Sequence, residues 1–243
     1  MNQQSYLSTK AIATNERLIF ALDVESNEAA KALVERLGDS VTFYKVGLEL
    51  FMAGAYFEIV DWLLARNKKV FVDLKFFDVP QTVASAVSRL RNKGVEFATV
   101  HGNDAILKAA SEAKGETLKI LAVTVLTSLD RGDLEDLGFQ CDPKELVLSR
   151  AKRALQLGCD GVISSGLEAP ALRESLDHKL LVITPGIRPV ANDDDQKRTV
   201  NVEQAFRNGA DYIVVGRPIK LAENPHDAAM AIQHDISRIF ADG

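Results

Sequence analysis

Residues 70–82 read Val70-Phe71-Val72-Asp73-Leu74-Lys75-Phe76-Phe77-Asp78-Val79-Pro80-Gln81-Thr82, and they decide the fold. Residues 70–72 and Leu74 are apolar and favour a buried β-strand. Asp73 and Lys75 are two positions apart, so in a strand their side chains point to the same face. Pro80 suits the first turn of a helix, where its missing N–H is not needed. The stretch therefore predicts a strand that ends in charges and leads directly into a helix.

The charges in this stretch admit two interpretations. Burying a charge costs free energy unless an opposite charge or hydrogen bonds compensate. In the structural interpretation, Asp73 and Lys75 form an ion pair and Asp78 caps the following helix. In the functional interpretation, the three residues form an alternating array of carboxylate, ammonium and carboxylate that keeps the lysine charged and aimed. The rest of the chain decides between them.

Composition limits the function further. The chain has 243 residues and a formal net charge of -5, which disfavours a nucleic-acid-binding protein because such proteins usually carry a basic face. Residues 1–15 are polar and lack the apolar core of a signal peptide, and no apolar run approaches membrane-spanning length. We therefore expect no nucleic-acid or membrane partner and a cytoplasmic location.

Cysteine and histidine spacing gives no indication of a metal site. The cysteines are Cys141 and Cys159, and they form neither a C-x-x-C motif nor a disulfide framework. No two histidines have the H-x-x-x-H spacing that is typical of zinc ligands on a helix. We expect two free thiols and no dedicated metal site.

Eight apolar segments recur along the chain, each followed by a segment of helical character. Near-continuous apolar runs are typical of parallel strands buried on both faces, and eight strand–helix units in about 250 residues match a TIM barrel. An open doubly wound sheet is the alternative, but no Gly-x-Gly-x-x-Gly pattern follows the first strand. We predict an α/β fold, a single-domain (β/α)8 TIM barrel over residues 1–243, with 1–15 as an N-terminal extension. The predicted helices include 26–37, 49–66, 80–92, 104–113, 143–157 and 225–240, and a long connection is expected over 127–142.

The predicted barrel brings the ends of its strands together. TIM-barrel active sites lie at the C-terminal ends of the strands, and structural ion pairs would have no reason to favour that end. The barrel therefore favours the functional interpretation of the 70–82 stretch. The polar residues at these ends are Asp23, Lys45, Asp73, Lys75, His101, Thr127, Ser165, Arg188 and Arg217.

The last two strands predict an anion site. TIM barrels often bind phosphate in the loops after these strands. Gly216 lets backbone N–H groups approach an oxyanion, and Arg217 supplies a forked, permanent positive charge. The alternative is a turn glycine beside a solvated arginine. Residues 190–199 form either a polar surface loop or a lid whose Gln196 closes on the phosphate.

Six motifs together resemble the orotidine 5'-phosphate decarboxylase family. They occur in the family's order over residues 17–240. One such motif would be moderate evidence, and six in order are strong evidence. The motifs are Leu22-Asp23-Val24, Lys45-Val46-Gly47, the run from Asp73 to Thr82, Leu126-Thr127-Ser128, Thr184-Pro185-Gly186-Ile187-Arg188 and Gly216-Arg217. Two positions depart from the commoner bacterial pattern, since Phe77 and Gln81 stand where that pattern has His and Asn.

The resemblance implies a homodimeric TIM barrel that converts orotidine 5'-monophosphate to uridine 5'-monophosphate and CO2, the last step of de novo pyrimidine nucleotide synthesis, without metal or cofactor. It implies that Lys75 protonates C6 of the pyrimidine, and that Asp73, Asp78 and Lys45 complete the charged array. Asp78 and Thr82 are implied to reach into the neighbouring subunit's site. The implied substrate contacts are Asp23 and Lys45 to the ribose, Thr127 and Ser128 to the pyrimidine, and Arg188, Gln196, Gly216 and Arg217 to the phosphate.

Two other functions remain open from the sequence. A magnesium-dependent sugar-phosphate decarboxylase or aldolase of the same superfamily shares the Asp-x-Lys-x-x-Asp pattern, but it carries a carboxylate near the end of the second strand, where this chain has Lys45. A non-catalytic phosphate-binding barrel is also possible, because a fold alone never fixes a function. Such a binder would have no need for a lysine held between two carboxylates.

Overall fold

The computed structural model describes residues 5–188 and 199–241 of the chain. Within these ranges, the strands are β1 Leu18–Ala21, β2 Phe43–Gly47, β3 Lys69–Phe76, β4 Phe97–Val100, β5 Lys119–Val123, β6 Gly161–Ile163, β7 Leu181–Thr184 and β8 Tyr212–Val215. The helices are α1 Asn27–Leu37, α2 Leu48–Met52, α3 Tyr56–Leu64, α4 Pro80–Leu90, α5 Asp104–Ala113, α6 Arg131–Asp136, α7 Pro143–Gln156, α8 Ala169–Ser175, α9 Val202–Arg207, α10 Arg217–Lys220 and α11 Pro225–Ala241.

The eight strands form one closed parallel barrel. Each strand pairs with the next in chain order, and β1 pairs with β8 to close the ring. The barrel prediction is confirmed. The open doubly wound sheet is excluded, because the pairing of β1 with β8 leaves neither strand at a free edge.

The barrel interior is a packed apolar plug rather than a pore. Four aromatic rings meet inside it, with the Phe97 centroid 5.1 Å from Phe43, 5.9 Å from Phe71 and 5.2 Å from Tyr212. Side chains alternate along a strand, so the residue two positions beyond an inward ring also points inward, nearer the C-terminal end. In β2, β3 and β4 that residue is polar: Lys45, Asp73 and Thr99. The plug thus forms the floor of the site.

Three local predictions need correction. The helix predicted over 49–66 is two helices, α2 and α3, because Gly54 (φ +86°) and Ala55 (φ +50°) adopt left-handed conformations that break the helical path. The connection predicted over 127–142 contains α6, whose first turn is fixed by a capping box between Asp130 and Asp133. Asp78 does not cap α4, since the N-cap is Val79 and has no side-chain cap.

Several helix predictions are confirmed. Ser26 caps α1 by accepting a hydrogen bond from the Ala29 N–H at 3.1 Å. Pro80 stands in the first turn of α4, as its missing N–H allows.

The chain before β1 contacts the barrel, since the Tyr6 N–H donates to the Arg207 carbonyl at 2.8 Å and Lys10 Nζ lies 3.0 Å from Asp211 Oδ1.

Candidate active site

A continuous chain of opposite charges crosses the mouth of the barrel. Lys45 Nζ lies 3.3 Å from Asp23 Oδ1 and 3.3 Å from Asp73 Oδ2, on three neighbouring strand ends. Lys75 Nζ lies 3.0 Å from Asp73 Oδ1. We call Asp23, Lys45, Asp73 and Lys75 the charged array. Its order alternates in sign, so each inner member has an opposite charge on both sides.

Burial and charge act in opposite directions on the inner members of the array. Burial favours the neutral form of Lys45, but the carboxylates of Asp73 and Asp23 outweigh it and raise the pKa of the Lys45 ammonium above its ordinary value. Burial likewise favours the protonated form of Asp73, but Lys45 and Lys75 outweigh it and lower the pKa of the Asp73 carboxyl. Both groups are therefore charged at neutral pH.

Lys75 sits on an irregular part of β3. Its φ is +48°, a left-handed conformation that is uncommon for a residue with a side chain. The pairing of β3 with β4 shifts there: Val72 faces Ala98, and the next pair is Phe76 with Val100. Residues 73–75 thus stand opposite the single residue Thr99. This bulge directs the Lys75 side chain back to the Asp73 carboxylate.

Two adjoining cavities open beside the array. The apolar cavity, of about 230 Å³, is lined by Lys45, Phe71, Asp73, Lys75, Val123, Val125, Leu126, Thr127, Ser128, Ile163, Pro185 and Val214. The arginine cavity, of about 220 Å³, is lined by Ala21, Asp23, Lys45, Pro185, Gly186, Arg188, Val214, Gly216, Arg217 and Lys220. Lys45, Pro185 and Val214 line both, so one extended ligand with an apolar end and an anionic end can occupy them together.

The arginine cavity is strongly positive. Arg188 and Lys220 are half-buried, whereas Arg217 begins α10 with its side chain exposed. Lys220 Nζ donates to the Asp23 carbonyl at 2.6 Å, which fixes the ammonium at the edge of the cavity. Gly216 packs closely on β1, because a Cβ there would lie 3.3 Å from the Cβ of Ala21. Besides Lys45, which is paired with Asp23, these three cations around so small a volume suit a multiply charged anion.

Most of the predicted site residues come together in this single chain, and three do not. Asp78 and Thr82 are exposed beyond the end of β3, and Asp78 Oδ1 accepts from the Val79 N–H at 2.6 Å. Among the described residues, no hydrogen bond or ion pair connects Asp78 to Lys75. Gln196 lies outside the described residues. Within one chain, the side chains of alternating charge that contact each other are therefore Asp23, Lys45, Asp73 and Lys75. The sequence had instead suggested Asp73, Lys75 and Asp78.

Sequence reasoning did not single out three residues that belong to the site. Thr99 hydrogen-bonds to the array, and Lys220 lines the arginine cavity. Gly47 leaves room for the array, because a Cβ there would lie 3.3 Å from Lys45 Nζ. A signal existed for two of them: Thr99 is two positions after the inward Phe97, and Lys220 follows Arg217 at helical spacing.

The departures from the commoner pattern lie beside the site. The exposed Phe77 ring packs edge-on against His101 at 5.1 Å between centroids, and Gln81 is exposed at the start of α4. His101 contributes to a neighbouring surface groove rather than to the two cavities. Burial, followed by the nearby Arg150 charge, lowers the pKa of His101, which keeps this imidazole neutral at pH 7. It is a wall residue in this arrangement.

Two features are absent from residues 5–188 and 199–241, the parts of the chain that the structure describes. These ranges contain no group of three or more His, Cys, Asp or Glu side chains that could hold a metal ion. No helix within them has both the length and the apolarity needed to cross a membrane. Cys141 and Cys159 are free thiols, as expected.

The fold and the charged mouth define a class: TIM-barrel enzymes that act on a small anionic substrate. The sequence pattern of the family described as "Orotidine 5'-phosphate decarboxylase / HUMPS family" matches residues 16–232. The chain belongs to this family, and the family predicted from the six motifs is confirmed.

Individual relatives agree with the family. The chain is 66% identical over 241 residues to a protein of Methylococcus capsulatus named orotidine 5'-phosphate decarboxylase, covering 98% of this chain and 99% of that one. It is 53% identical over 227 residues to the protein of the same name from Xanthomonas axonopodis pv. citri, covering 93% of each. The crystal structure of orotidine 5'-phosphate decarboxylase from Lactobacillus acidophilus aligns with a TM-score of 0.81 at 36% identity, covering 91% of this chain and 99% of that chain.

Proposed function

We propose that the chain decarboxylates orotidine 5'-monophosphate to uridine 5'-monophosphate, as the last step of de novo pyrimidine synthesis, with Lys75 as the proton donor. One observation carries the assignment of roles. Lys45 lines both cavities and contacts Asp73, which in turn contacts Lys75. The array therefore lies where the two parts of a nucleotide meet, between a site for the base and a site for the phosphate.

The reaction requires that negative charge be stabilised on carbon. The bond between C6 and the carboxylate carbon breaks, CO2 departs, and the electron pair remains on C6 with little resonance stabilisation. A nearby ammonium stabilises this charge and then transfers a proton to it. Of the two lysines of the array, Lys75 lines only the apolar cavity, and its side chain is 35% exposed. Its proton passes to C6, and the neutral amine regains a proton from solvent after product release.

Asp73 and Lys45 hold the donor in position. The Asp73 carboxylate accepts a hydrogen bond from Lys75 Nζ at 3.0 Å and limits the directions of that ammonium. Lys45 balances the second oxygen of Asp73, so that the carboxylate stays ionised in a buried position. Asp73 lines the same cavity as Lys75, so a substrate held with C6 at Lys75 would bring its carboxylate near Asp73, where the two negative charges would repel each other before CO2 is lost.

The two cavities divide the recognition of the nucleotide. We assign the pyrimidine to the apolar cavity, where Thr127 and Ser128 supply polar contacts to its amide. Asp23 and Lys45 lie between the cavities and are assigned to the ribose hydroxyls. Arg188, Gly216 and Arg217, with Lys220 beside them, are assigned to the phosphate. Binding energy from this remote group can lower the barrier at C6 by holding the base against Lys75.

We further propose that the active unit is a homodimer in which Asp78 and Thr82 enter the partner's site. Both are exposed. Asp78 stands between Phe77 and Val79, which are 68% and 62% exposed, and Thr82 follows in the first turn of α4. Large apolar side chains that are this exposed and this close together favour a protein interface. A second subunit seated there would bring the Asp78 carboxylate to a neighbouring array.

The test measures loss of orotidine 5'-monophosphate by ultraviolet absorbance in the presence of EDTA. The wild type and Lys75→Ala are compared, with Lys75→Arg as a control that keeps the charge but cannot readily give up a proton. We expect metal-independent turnover by the wild type and a fall of about 10²–10⁴-fold in kcat for both variants.

Other outcomes would lead to other functions. Activity that EDTA abolishes and Mg²⁺ restores, on a sugar phosphate rather than on the nucleotide, would identify the magnesium-dependent sugar-phosphate enzyme. Tight binding of uridine 5'-monophosphate without turnover would identify a non-catalytic barrel. Full activity of Lys75→Ala would remove the proton-donor role while leaving the reaction assigned.

A further inference from the structure

Thr99 connects two parts of the active site through one hydroxyl group. It lies on β4, and its side chain is 0% exposed. Thr99 Oγ1 accepts a hydrogen bond from the Lys75 backbone N–H at 2.9 Å and donates one to Asp73 Oδ1 at 2.9 Å. The directions of the two bonds are fixed, because the single hydroxyl proton points to the carboxylate and the oxygen accepts from the backbone N–H.

The first of these bonds replaces a lost strand contact. Residues 73–75 of β3 stand opposite Thr99 alone, so regular backbone pairing is interrupted between Val72 and Phe76. The backbone N–H of Lys75 would otherwise lack a protein acceptor in a part-buried place, which is costly. The Thr99 hydroxyl supplies that acceptor. It therefore stabilises the left-handed backbone of Lys75, whose φ of +48° is otherwise unfavourable.

The second bond places the Asp73 carboxylate. Asp73 Oδ1 receives both the Thr99 hydroxyl and the Lys75 ammonium, at 2.9 Å and 3.0 Å. These bonds form a closed ring. The Thr99 hydroxyl binds the Lys75 backbone N–H, the Lys75 ammonium binds Asp73 Oδ1, and the same oxygen accepts from the Thr99 hydroxyl. A ring of this kind fixes both ends of the lysine side chain.

We propose that Thr99 is a positioning residue for the reaction, which aims the Lys75 ammonium by holding its backbone and its carboxylate partner at once. The inference rests on the proposed role of Lys75. Thr99 is fully buried beneath the array, so it acts through Lys75 and Asp73 and does not touch the substrate. Because the two bonds need only a hydroxyl, a serine should replace it and a valine of the same shape should not.

The experiment compares Thr99→Val and Thr99→Ser with a matched control, Thr124→Val. Thr124 is equally buried, and its Oγ1 donates to the Ile163 carbonyl at 2.7 Å, outside the array. Steady-state kinetics with orotidine 5'-monophosphate give kcat and KM, and titration with uridine 5'-monophosphate gives product affinity. Thermal unfolding reports on folding, and a crystal structure of Thr99→Val gives the φ of Lys75 and its Nζ–Asp73 distance.

We expect Thr99→Val to lower kcat about 10- to 100-fold, because two hydrogen bonds are lost, one of them to a charged group. Its KM and product affinity should stay within about threefold of the wild type, since the phosphate contacts are intact. Thr99→Ser and Thr124→Val should keep kcat within about threefold. If Thr99→Val does not fold, Thr99→Cys replaces it, because a thiol is a weak donor and acceptor.

Three results would overturn the inference: a near-normal kcat for Thr99→Val, an equal loss for Thr124→Val, or a Thr99→Val structure in which Lys75 has not moved. A wild type that does not turn over the nucleotide would instead refute the proposed function. In that case the structure of Thr99→Val still decides, since a displaced Lys75 supports the positioning role and an unchanged one contradicts it.

Discussion

Lys45 and Asp73 stand on neighbouring strands with Nζ and Oδ2 3.3 Å apart, and their side chains are only 13% and 12% exposed. Neither strand could bury its charge alone, because an isolated buried charge is strongly unfavourable. Removing one member of the pair should therefore lower activity more than removing a surface charge does, because the other member is left buried with less compensating charge.

Lys45→Met should lower kcat/KM by about 10- to 100-fold, since it removes a charge-assisted bond and leaves Asp73 with Lys75 as its cation within the array. The expected consequence is a rise in the Asp73 pKa, which moves the acidic limb of the kcat–pH profile to higher pH. Lys31→Met, at a half-buried position of α1 outside the array, is the matched control. An unchanged acidic limb would argue against coupling between Lys45 and Asp73.

The pH dependence of stability has a defined sign. The folded pKa of Asp73 is below its ordinary value of 3.8, so its ionised form stabilises the fold above that value, and the contribution is lost as pH falls through the folded pKa. The difference in unfolding free energy between wild type and Asp73→Asn should therefore shrink as pH falls from about 5 through the folded pKa of Asp73. Denaturant titrations across this range test the sign. A difference that grows on acidification would contradict it.

Arg217→Ala should reduce kcat/KM roughly 10²-fold for orotidine 5'-monophosphate, because a forked, charged contact to the phosphate is lost. The fold should survive, since this side chain is exposed. Arg217→Lys keeps the charge without the forked geometry, so its kcat/KM should lie between those of the wild type and Arg217→Ala. With the unphosphorylated nucleoside as substrate, wild type and variant should be equal, and a difference there would place Arg217 elsewhere than at the phosphate.

Lys220→Met should raise KM about 3- to 30-fold, as one of the cations of the arginine cavity is removed together with the bond to the Asp23 carbonyl. The KM of the variant should also depend less on ionic strength, because one charge no longer attracts the phosphate. Measurements of KM over a series of salt concentrations give this slope for both proteins. Equal slopes would leave Lys220 with a structural role.

A shared active site can be tested by mixing two inactive variants. Asp78→Ala and Lys75→Ala should each be nearly inactive as homodimers. In a mixed dimer one site carries both changes and the other carries neither, so random mixing should restore about a quarter of wild-type activity. Refolding the two variants together and separately provides the comparison. No recovery on mixing would contradict the contribution of Asp78 to the partner's site.

The barrel was predictable because each of its eight strands can be recognised from the apolar run of its own residues. Lys45 and Asp73 followed from the period of two along β2 and β3. The bulge at Lys75 was not predictable, because Asp73-Leu74-Lys75-Phe76 has the pattern of a continuing strand and the hydroxyl that holds it comes from 24 positions away. The break at Gly54 was missed for a similar reason, since the apolar pattern of α2 continues into α3.

The bond between Lys220 and the Asp23 carbonyl joins positions 197 residues apart across the seam between β1 and β8. The cavities proposed to hold the nucleotide are thus assembled from both the first and the last strands of the barrel. A nascent chain still emerging from the ribosome has no such pocket until its eighth strand is released and docks beside the first. Affinity for uridine 5'-monophosphate would then report whether a newly made chain has finished folding. Shortened chains that lack the eighth strand and its helix would not bind this nucleotide, however much of the barrel they had already formed.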